Sequence, residues 1–302
     1  MWQTKGVSET DFEGSDLSEN PDSLTLGEEE VRPWGPWWSL FWAFVVICVW
    51  QLSQLVVVSF LSFRQSGAEG VSQDGLAAFM ETVLQDGDVV GLMSFVTAVI
   101  ACVMILAIVK VRGTTLAQGL ALRAPRKWWM WLLVFPTWFV GMLVIGFLVS
   151  PFQGDQAAAD QANIATMVEG THYLVLLLLG VSVGAPLFEE FLFRGLLHEG
   201  LRQSVIGPIG SGILTAAFFS LMHSQYQDPA AFLVLFLLGG LFTLVREVSG
   251  SLWISVAMHA IQNTMVTGMM FLAVHDYVPA DKLPEDLRQI FESEEQPAAV
   301  AE

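Results

Sequence analysis

The sequence contains few charged residues, which make up 14% of its 302 positions, against about 25% in an average soluble domain. Lysine and arginine together number only 13, which excludes a nucleic-acid-binding protein because such a protein needs a basic face. Cysteine is scarce as well, since the chain has only Cys48 and Cys102. Both lie inside apolar runs, where burial accounts for them, so a disulfide-stapled secreted domain is also excluded.

Apolar and aromatic side chains are abundant, at 54% of all residues, and the mean hydropathy is +0.56. The formal net charge of −17 comes mainly from the two ends of the chain. Both ends are polar and lack apolar periodicity, so we predict an acidic disordered tail over 1–36 and a second acidic tail over 275–302. The second tail includes a possible interfacial helix over Leu283–Phe291. The nearly neutral apolar body between them is typical of an integral membrane protein.

Seven apolar runs approach the roughly 20 residues that a helix needs to cross a bilayer. Lipid cannot satisfy backbone polar groups, and no run alternates like a barrel strand, so we predict an all-α, polytopic transmembrane helical bundle with about seven spans. The runs are Trp37–Phe63, Val89–Val111, Trp128–Val149, Tyr173–Leu197, Ile206–His223, Pro229–Val245 and Leu252–Val274.

Lysine and arginine near the helix ends indicate the orientation, because cytoplasmic loops contain an excess of these residues. The loop over 112–127 is basic and adjoins the interfacial residues Trp128, Trp129 and Trp131. With this loop inside, seven spans leave the N-terminus in the cytoplasm and the C-terminus outside. In a prokaryote the protein would lie in the plasma membrane.

Ionisable side chains inside membrane spans cost about 2.5–3.5 kcal/mol each on insertion scales, and by default they mark a functional site. Here they occur, together with one asparagine, on three successive helices: Glu189, Glu190 and Arg194, then His223, then His259 and Asn263. Nothing comparable occurs in the earlier spans. We therefore predict three transmembrane helices and their loops over 37–171 and a functional helical core over 172–274.

The spacing of these residues indicates how some of them pair. Glu190 and Arg194 lie at i,i+4 with the acid first, the favourable order for an ion pair. Glu189 points about 100° away from Glu190 and needs a partner on another helix. Taken singly, each motif also fits a plainer role as a structural ion pair, a helix-end histidine or a polar packing contact.

Three motifs of one family occur in order along these helices: Glu189-Glu190…Arg194, Phe219…His223 and His259…Asn263. This set resembles the CPBP family, the CAAX-protease and bacteriocin-processing (Abi-type) intramembrane peptidases. The resemblance covers roughly Gly180 to Thr264. It implies an endopeptidase that hydrolyses a peptide bond of a membrane-associated or lipidated substrate, using a water molecule activated by glutamate and histidine.

By position, the resemblance implies four catalytic residues. Glu189 is the general base and holds the water jointly with His223, while His259 and Asn263 donate hydrogen bonds to the oxyanion. The expected partners are the lipid bilayer and a peptide or membrane-protein substrate, without nucleic acid.

The resemblance further implies that Glu190 and Arg194 are a supporting pair. Our first choice is a mechanism that requires no cofactor. Two histidines and a carboxylate can also bind zinc in a catalytic site, and in that alternative Glu189, His223 and His259 are the metal ligands.

Two further alternatives are a non-proteolytic, immunity-type membrane binder and, less favoured, an ion- or proton-coupled transporter. Gly180–Gly184 matches the Gly-x-Ser-x-Gly pattern of serine hydrolases, but within an apolar helix instead of a strand–turn–helix. Ser182 is therefore predicted to be a packing residue, with the two glycines spaced for close helix contact. His172, His198 and His275 lie at span ends, where an interfacial role suffices.

Overall fold

The computed structural model describes residues 35–67, 73–154, 156–275 and 277. The predicted tails, with the helix over Leu283–Phe291, lie almost wholly outside these residues. Within the described ranges the chain forms ten helices and no strand, which confirms the all-α polytopic bundle. The helices are α1 Pro36–Ser66, α2 Gln73–Leu84, α3 Gly87–Val111, α4 Leu116–Gly119, α5 Trp128–Phe152, α6 Gln156–Glu169, α7 Leu174–Leu201, α8 Gly207–Leu221, α9 Pro229–Ser249 and α10 Leu252–Val274.

Each of the seven predicted spans contains a helix. By length and composition, α1, α3, α5, α7 and α9 are suited to cross a membrane, whereas α8 is a shorter apolar helix. Helix α10 has 23 residues and a length of about 34 Å at 1.5 Å per residue, but it carries His259, Gln262 and Asn263. Both helices that depart from the simple membrane-span pattern, α8 by its length and α10 by its polar residues, thus belong to the predicted functional half.

Three helices lie between the predicted spans and were not expected from the sequence. Helix α4 is short and begins with a capping box between Thr115 and Gln118. Helix α6 packs its apolar residues Ala165 and Val168 against Met270 of α10. It is too polar to cross a membrane, yet this packing fixes it beside the functional half of the bundle.

Charged residues mark two opposite ends of the bundle. Asp88 lies in the first turn of α3 and Lys110 in its last turn. Asp88 accepts a hydrogen bond from the backbone N–H of Tyr173 at 2.8 Å, so the start of α7 belongs to the acidic end. Arg123 donates from Nε to the carbonyl of Gly250 at 2.7 Å, so the end of α9 belongs to the basic end. The loop predicted to be cytoplasmic therefore lies at the basic end, while the orientation itself remains a prediction.

Helices α3 and α7 touch backbone to backbone. A Cβ atom added at Gly91 would lie 2.4 Å from the carbonyl oxygen of Leu176, and one added at Gly180 would lie 2.2 Å from the carbonyl oxygen of Gly91. The close contact expected from the spacing of Gly180 and Gly184 is thus confirmed. It fixes the position of α7, the helix that carries both glutamates.

We expect Gly91→Ala to destabilise the bundle by about 1–3 kcal/mol, the usual cost of overpacking, because the new methyl group meets backbone that no rotamer change can move. The matched control is Gly146→Ala on α5, where a Cβ meets no atom within 4 Å. Thermal unfolding of the purified protein in detergent measures both variants. Equal midpoints for the two variants would contradict the described helix contact.

Candidate active site

All four predicted catalytic side chains line one cavity. Glu189 comes from α7, His223 from the turn after α8, and His259 and Asn263 from α10. The cavity has a volume of about 430 Å³, which accommodates several residues of a peptide. Residues more than 70 positions apart in the sequence therefore converge, as the motif order indicated.

Two π-helical segments, Leu179–Gly184 and Phe191–Leu197, set the rotation of α7 around its glutamates. The N–H of Ala185 donates to the carbonyl of Gly180, five residues back, and Pro186 has no N–H to donate. The carbonyl of Val181 is consequently left without a helical donor. Asn263 donates to it from Nδ2 at 2.8 Å, which leaves the second amide hydrogen of Asn263 for a ligand.

The predicted pair is present and completely buried. Arg194 Nη1 donates to Glu190 Oε1 at 2.8 Å, with both side chains at 0% exposure. Arg194 Nη2 donates to the carbonyl of Gly239 on α9 at 2.9 Å. The guanidinium carbon lies 4.6 Å and 5.3 Å from the ring centres of Phe219 and Phe242. The cation is thus sealed from the cavity by aromatic rings and compensated by one carboxylate.

His259 lies between the two glutamates. Its Nδ1 is 3.0 Å from Oε1 of Glu190, and its Nε2 is 3.7 Å from Oε2 of Glu189. A carboxylate oxygen only accepts hydrogen bonds, so Nδ1 carries a hydrogen and Nε2 is the nitrogen directed toward Glu189. Phe242 stacks on the imidazole at 4.7 Å between ring centres and holds its plane.

The tautomer of His223 is also set by a backbone contact. Its Nδ1 lies 2.8 Å from the carbonyl oxygen of Phe219, one turn earlier. Because a carbonyl accepts only, Nδ1 carries the hydrogen, and Nε2 of the neutral ring keeps a free lone pair. His223 therefore offers a hydrogen-bond acceptor to a ligand in the cavity.

Helix α6 forms part of the cavity wall and supplies residues that the sequence did not single out. Asp160 is 6% exposed and accepts from the backbone N–H groups of Gln227 and Asp228 at 2.9–3.0 Å. These bonds fasten α6 to the turn that follows His223. Gln161, the next residue of α6, also lines the cavity. A polar segment between two apolar spans gives no sign in the sequence of such long-range contacts.

Tyr226 and Gln262 are two further polar residues of the cavity lining. Burial, together with the negative charges of Asp160 and Glu189, raises the pKa of the Tyr226 phenol, so this side chain stays protonated at neutral pH and can donate a hydrogen bond. Gln262 accepts from the indole N–H of Trp138 at 2.8 Å and thereby ties α10 to α5. Gln262 follows His259 by three residues, a spacing that could have drawn attention to it.

Ser182 does not line the cavity and is 4% exposed, as expected for a packing residue. In the described part of the chain, no group of three or more His, Cys, Asp or Glu side chains is arranged to hold a metal ion. Glu189, His223 and His259, the alternative zinc ligands, thus share a cavity without forming such a group.

A second polar cluster lies toward the basic end, and it corrects the interfacial role predicted for His198. This side chain is fully buried, with Nδ1 2.8 Å from Ser211 Oγ and Nε2 2.9 Å from Glu247 Oε1. Glu247 also accepts from Arg202 and Arg246. The prediction was wrong because α7 and α9 both continue beyond the predicted spans, which brings supposed loop residues into the bundle.

Together these features define a polytopic helical membrane protein with a glutamate–histidine centre. Residues 171–265, which carry this centre, match the family model described as type II CAAX prenyl endopeptidase Rce1-like. The match covers less than a third of the chain and confirms the resemblance indicated by the three motifs.

A curated protein of Escherichia coli, described as an uncharacterized 24.3 kDa protein, is 29% identical to this chain over 138 residues. The aligned region is 44% of this chain and 63% of that protein, so the chain spans less than two thirds of its relative's length. No solved structure matches the chain.

We expect Arg194→Met to destabilise the protein by about 3–5 kcal/mol, because it leaves the Glu190 carboxylate buried without its cation. Arg202→Met removes the same charge from a side chain that is 32% exposed, where a pair contributes about 1 kcal/mol or less. Unfolding of both variants in detergent tests this difference. A loss for Arg194→Met no larger than for Arg202→Met would refute the structural role of the buried pair.

Proposed function

We propose that this protein is an intramembrane endopeptidase that hydrolyses a peptide bond of a membrane-associated or lipidated substrate. The observation that supports this most directly is the state of Glu189 Oε2, a buried oxygen without a hydrogen-bond partner that borders the cavity beside His259. A buried acceptor without a donor is costly, and a water molecule in the cavity would satisfy it. That water is the nucleophile of the proposed reaction.

In the first step Glu189 removes one proton from the water as general base. Nε2 of His223 accepts a hydrogen bond from the second water hydrogen and so fixes the direction of the lone pair that attacks. The water oxygen forms a bond to the scissile carbonyl carbon, whose oxygen becomes an oxyanion. The free amide hydrogen of Asn263 is available to bind this oxyanion.

His259 is the second proposed oxyanion donor. To donate from Nε2 and also keep the hydrogen bond from Nδ1 to Glu190, both ring nitrogens must carry a hydrogen. His259 therefore acts in this step as an imidazolium. The carboxylate of Glu190, shared with Arg194, stabilises that positive charge. The supporting pair therefore acts through His259, by holding the imidazole in place beside the cavity.

The second step breaks the scissile C–N bond. The tetrahedral intermediate collapses to a carboxylic acid, and Glu189, now protonated, delivers its proton to the departing nitrogen to release an amine. Atoms and charges balance without a cofactor. We further propose that the basic end of the bundle faces the cytoplasm, which directs α6 and the acidic end to the outer side.

We expect Glu189→Gln to abolish cleavage of a reporter membrane peptide, because an amide cannot take the proton from water. Ser182→Ala, in the same helix, should retain wild-type cleavage. Reporter fragments measured by mass spectrometry compare both variants with wild type. Loss of cleavage in Ser182→Ala with activity in Glu189→Gln would reverse the assignment, and uncleaved reporter with all three proteins would favour the membrane binder.

We expect cleavage to persist after treatment with a strong chelator, because the proposed steps use only side chains. Metal analysis of the same preparation should find no stoichiometric zinc. Activity that is lost in chelator and restored by added zinc would overturn this mechanism. The alternative in which Glu189, His223 and His259 are ligands would then replace it.

A further inference from the structure

The charged residues that line the cavity are predominantly acidic. Among the described residues that line it, three are carboxylic acids and none is lysine or arginine; the acids are Asp160, Glu189 and Asp228. The two lining histidines, His223 and His259, cannot reverse the sign. Even with both imidazoles protonated, three negative charges face two positive ones.

The hydrogen-bond partners of the two aspartates are neutral backbone N–H groups. Within the described ranges, the partners of Asp160 are backbone N–H groups. Asp228 accepts from the N–H groups of Ala230 and Gly154 at 2.9 Å and 3.3 Å. Acceptance from N–H donors at both oxygens is the arrangement of an ionised carboxylate. Both aspartates are nearly buried, so solvent screens their charges weakly.

The buried cation that interacts with Glu189, Arg194, has a buried counter-ion of its own. Arg194 does not line the cavity, and it is paired with Glu190 behind the aromatic rings. The raised pKa of Tyr226 has the charges of Asp160 and Glu189 among its causes, so the same field acts on a neighbouring group of the wall.

The buried polar atoms of the wall that have no hydrogen-bond partner are acceptors, as the negative charge of the wall would favour. Two buried oxygens that belong to lining residues have no hydrogen-bond partner, Oε1 of Gln161 and Oε2 of Glu189. A carbonyl and a carboxylate oxygen both require donors. The cavity therefore suits an occupant that is rich in N–H groups and positively charged.

We propose that this site, as the centre of the peptidase proposed above, selects peptide segments with a lysine or arginine side chain near the scissile bond. The wall repels an acidic side chain at the same place. Specificity then arises from repulsion of the wrong substrate as much as from attraction of the right one. The substrate class is a cationic peptide segment.

The test uses three reporter peptides that differ only in having Lys, Gln or Glu beside the cleaved bond, tried at each flanking position. We expect kcat/KM to be at least tenfold higher for Lys than for Glu at one or more positions, with Gln between them. Asp160→Asn and Asp228→Asn should each reduce this Lys-to-Glu ratio severalfold. Asparagine has nearly the same shape as aspartate and keeps one acceptor oxygen. The ratio of kcat/KM for the Lys and Glu peptides does not depend on the fraction of the variant that is folded.

Glu169→Gln is the matched control, since Glu169 is an exposed acid on α6 outside the cavity lining. Its ratio should equal that of wild type. A wild-type ratio of one or below overturns the proposal, as does a ratio that neither aspartate variant changes. If no peptide is cleaved, the peptidase function fails separately. In that case the dissociation constants of the labelled peptides test the charge preference. A Lys-to-Glu affinity ratio of one or below would again overturn the proposed preference.

Discussion

The buried contact between Glu190 and Arg194 joins three helices of the bundle. The carboxylate belongs to α7 and also holds His259 of α10, while the guanidinium reaches the carbonyl of Gly239 on α9. Neither charge has access to solvent, so each is tolerable only while the other is in place. Any movement that separated α7, α9 and α10 would expose an unpaired charge to an apolar interior. This constraint keeps the cavity side of α7 turned toward the histidines.

The pairing of Glu190 with Arg194 was predictable because it is local, since residues four positions apart in a helix lie on the same face. The convergence of Glu189, His223 and His259 was predictable from the order of three motifs. The partner of Asn263 was not, because it depends on a carbonyl that a π-helical turn and a proline release together. Sequence periodicity assumes a regular helix and does not register such a local change.

The wall of the cavity was harder to foresee than the convergence of Glu189, His223 and His259. Asp160 lies in a polar segment between spans, and its partners are backbone N–H groups nearly 70 residues away. Every residue type except proline has a backbone N–H group, so no sequence pattern links Asp160 to the segment that contains its donors. His198 was misjudged for a related reason, since helix ends are the least certain boundaries that a sequence provides. A few residues of extra helix changed an interfacial side chain into a buried one.

Gly91 and Gly180 set the distance between α3 and α7 with main-chain atoms alone. Side chains can change rotamer when neighbouring helices shift, but a contact between backbones has no comparable adjustment. A difference between the thickness of the bilayer and the length of the apolar helices is accommodated mainly by helix tilt. The two helices would therefore lean as one unit, and Glu189 would keep its depth relative to α3 in membranes of different lipid composition.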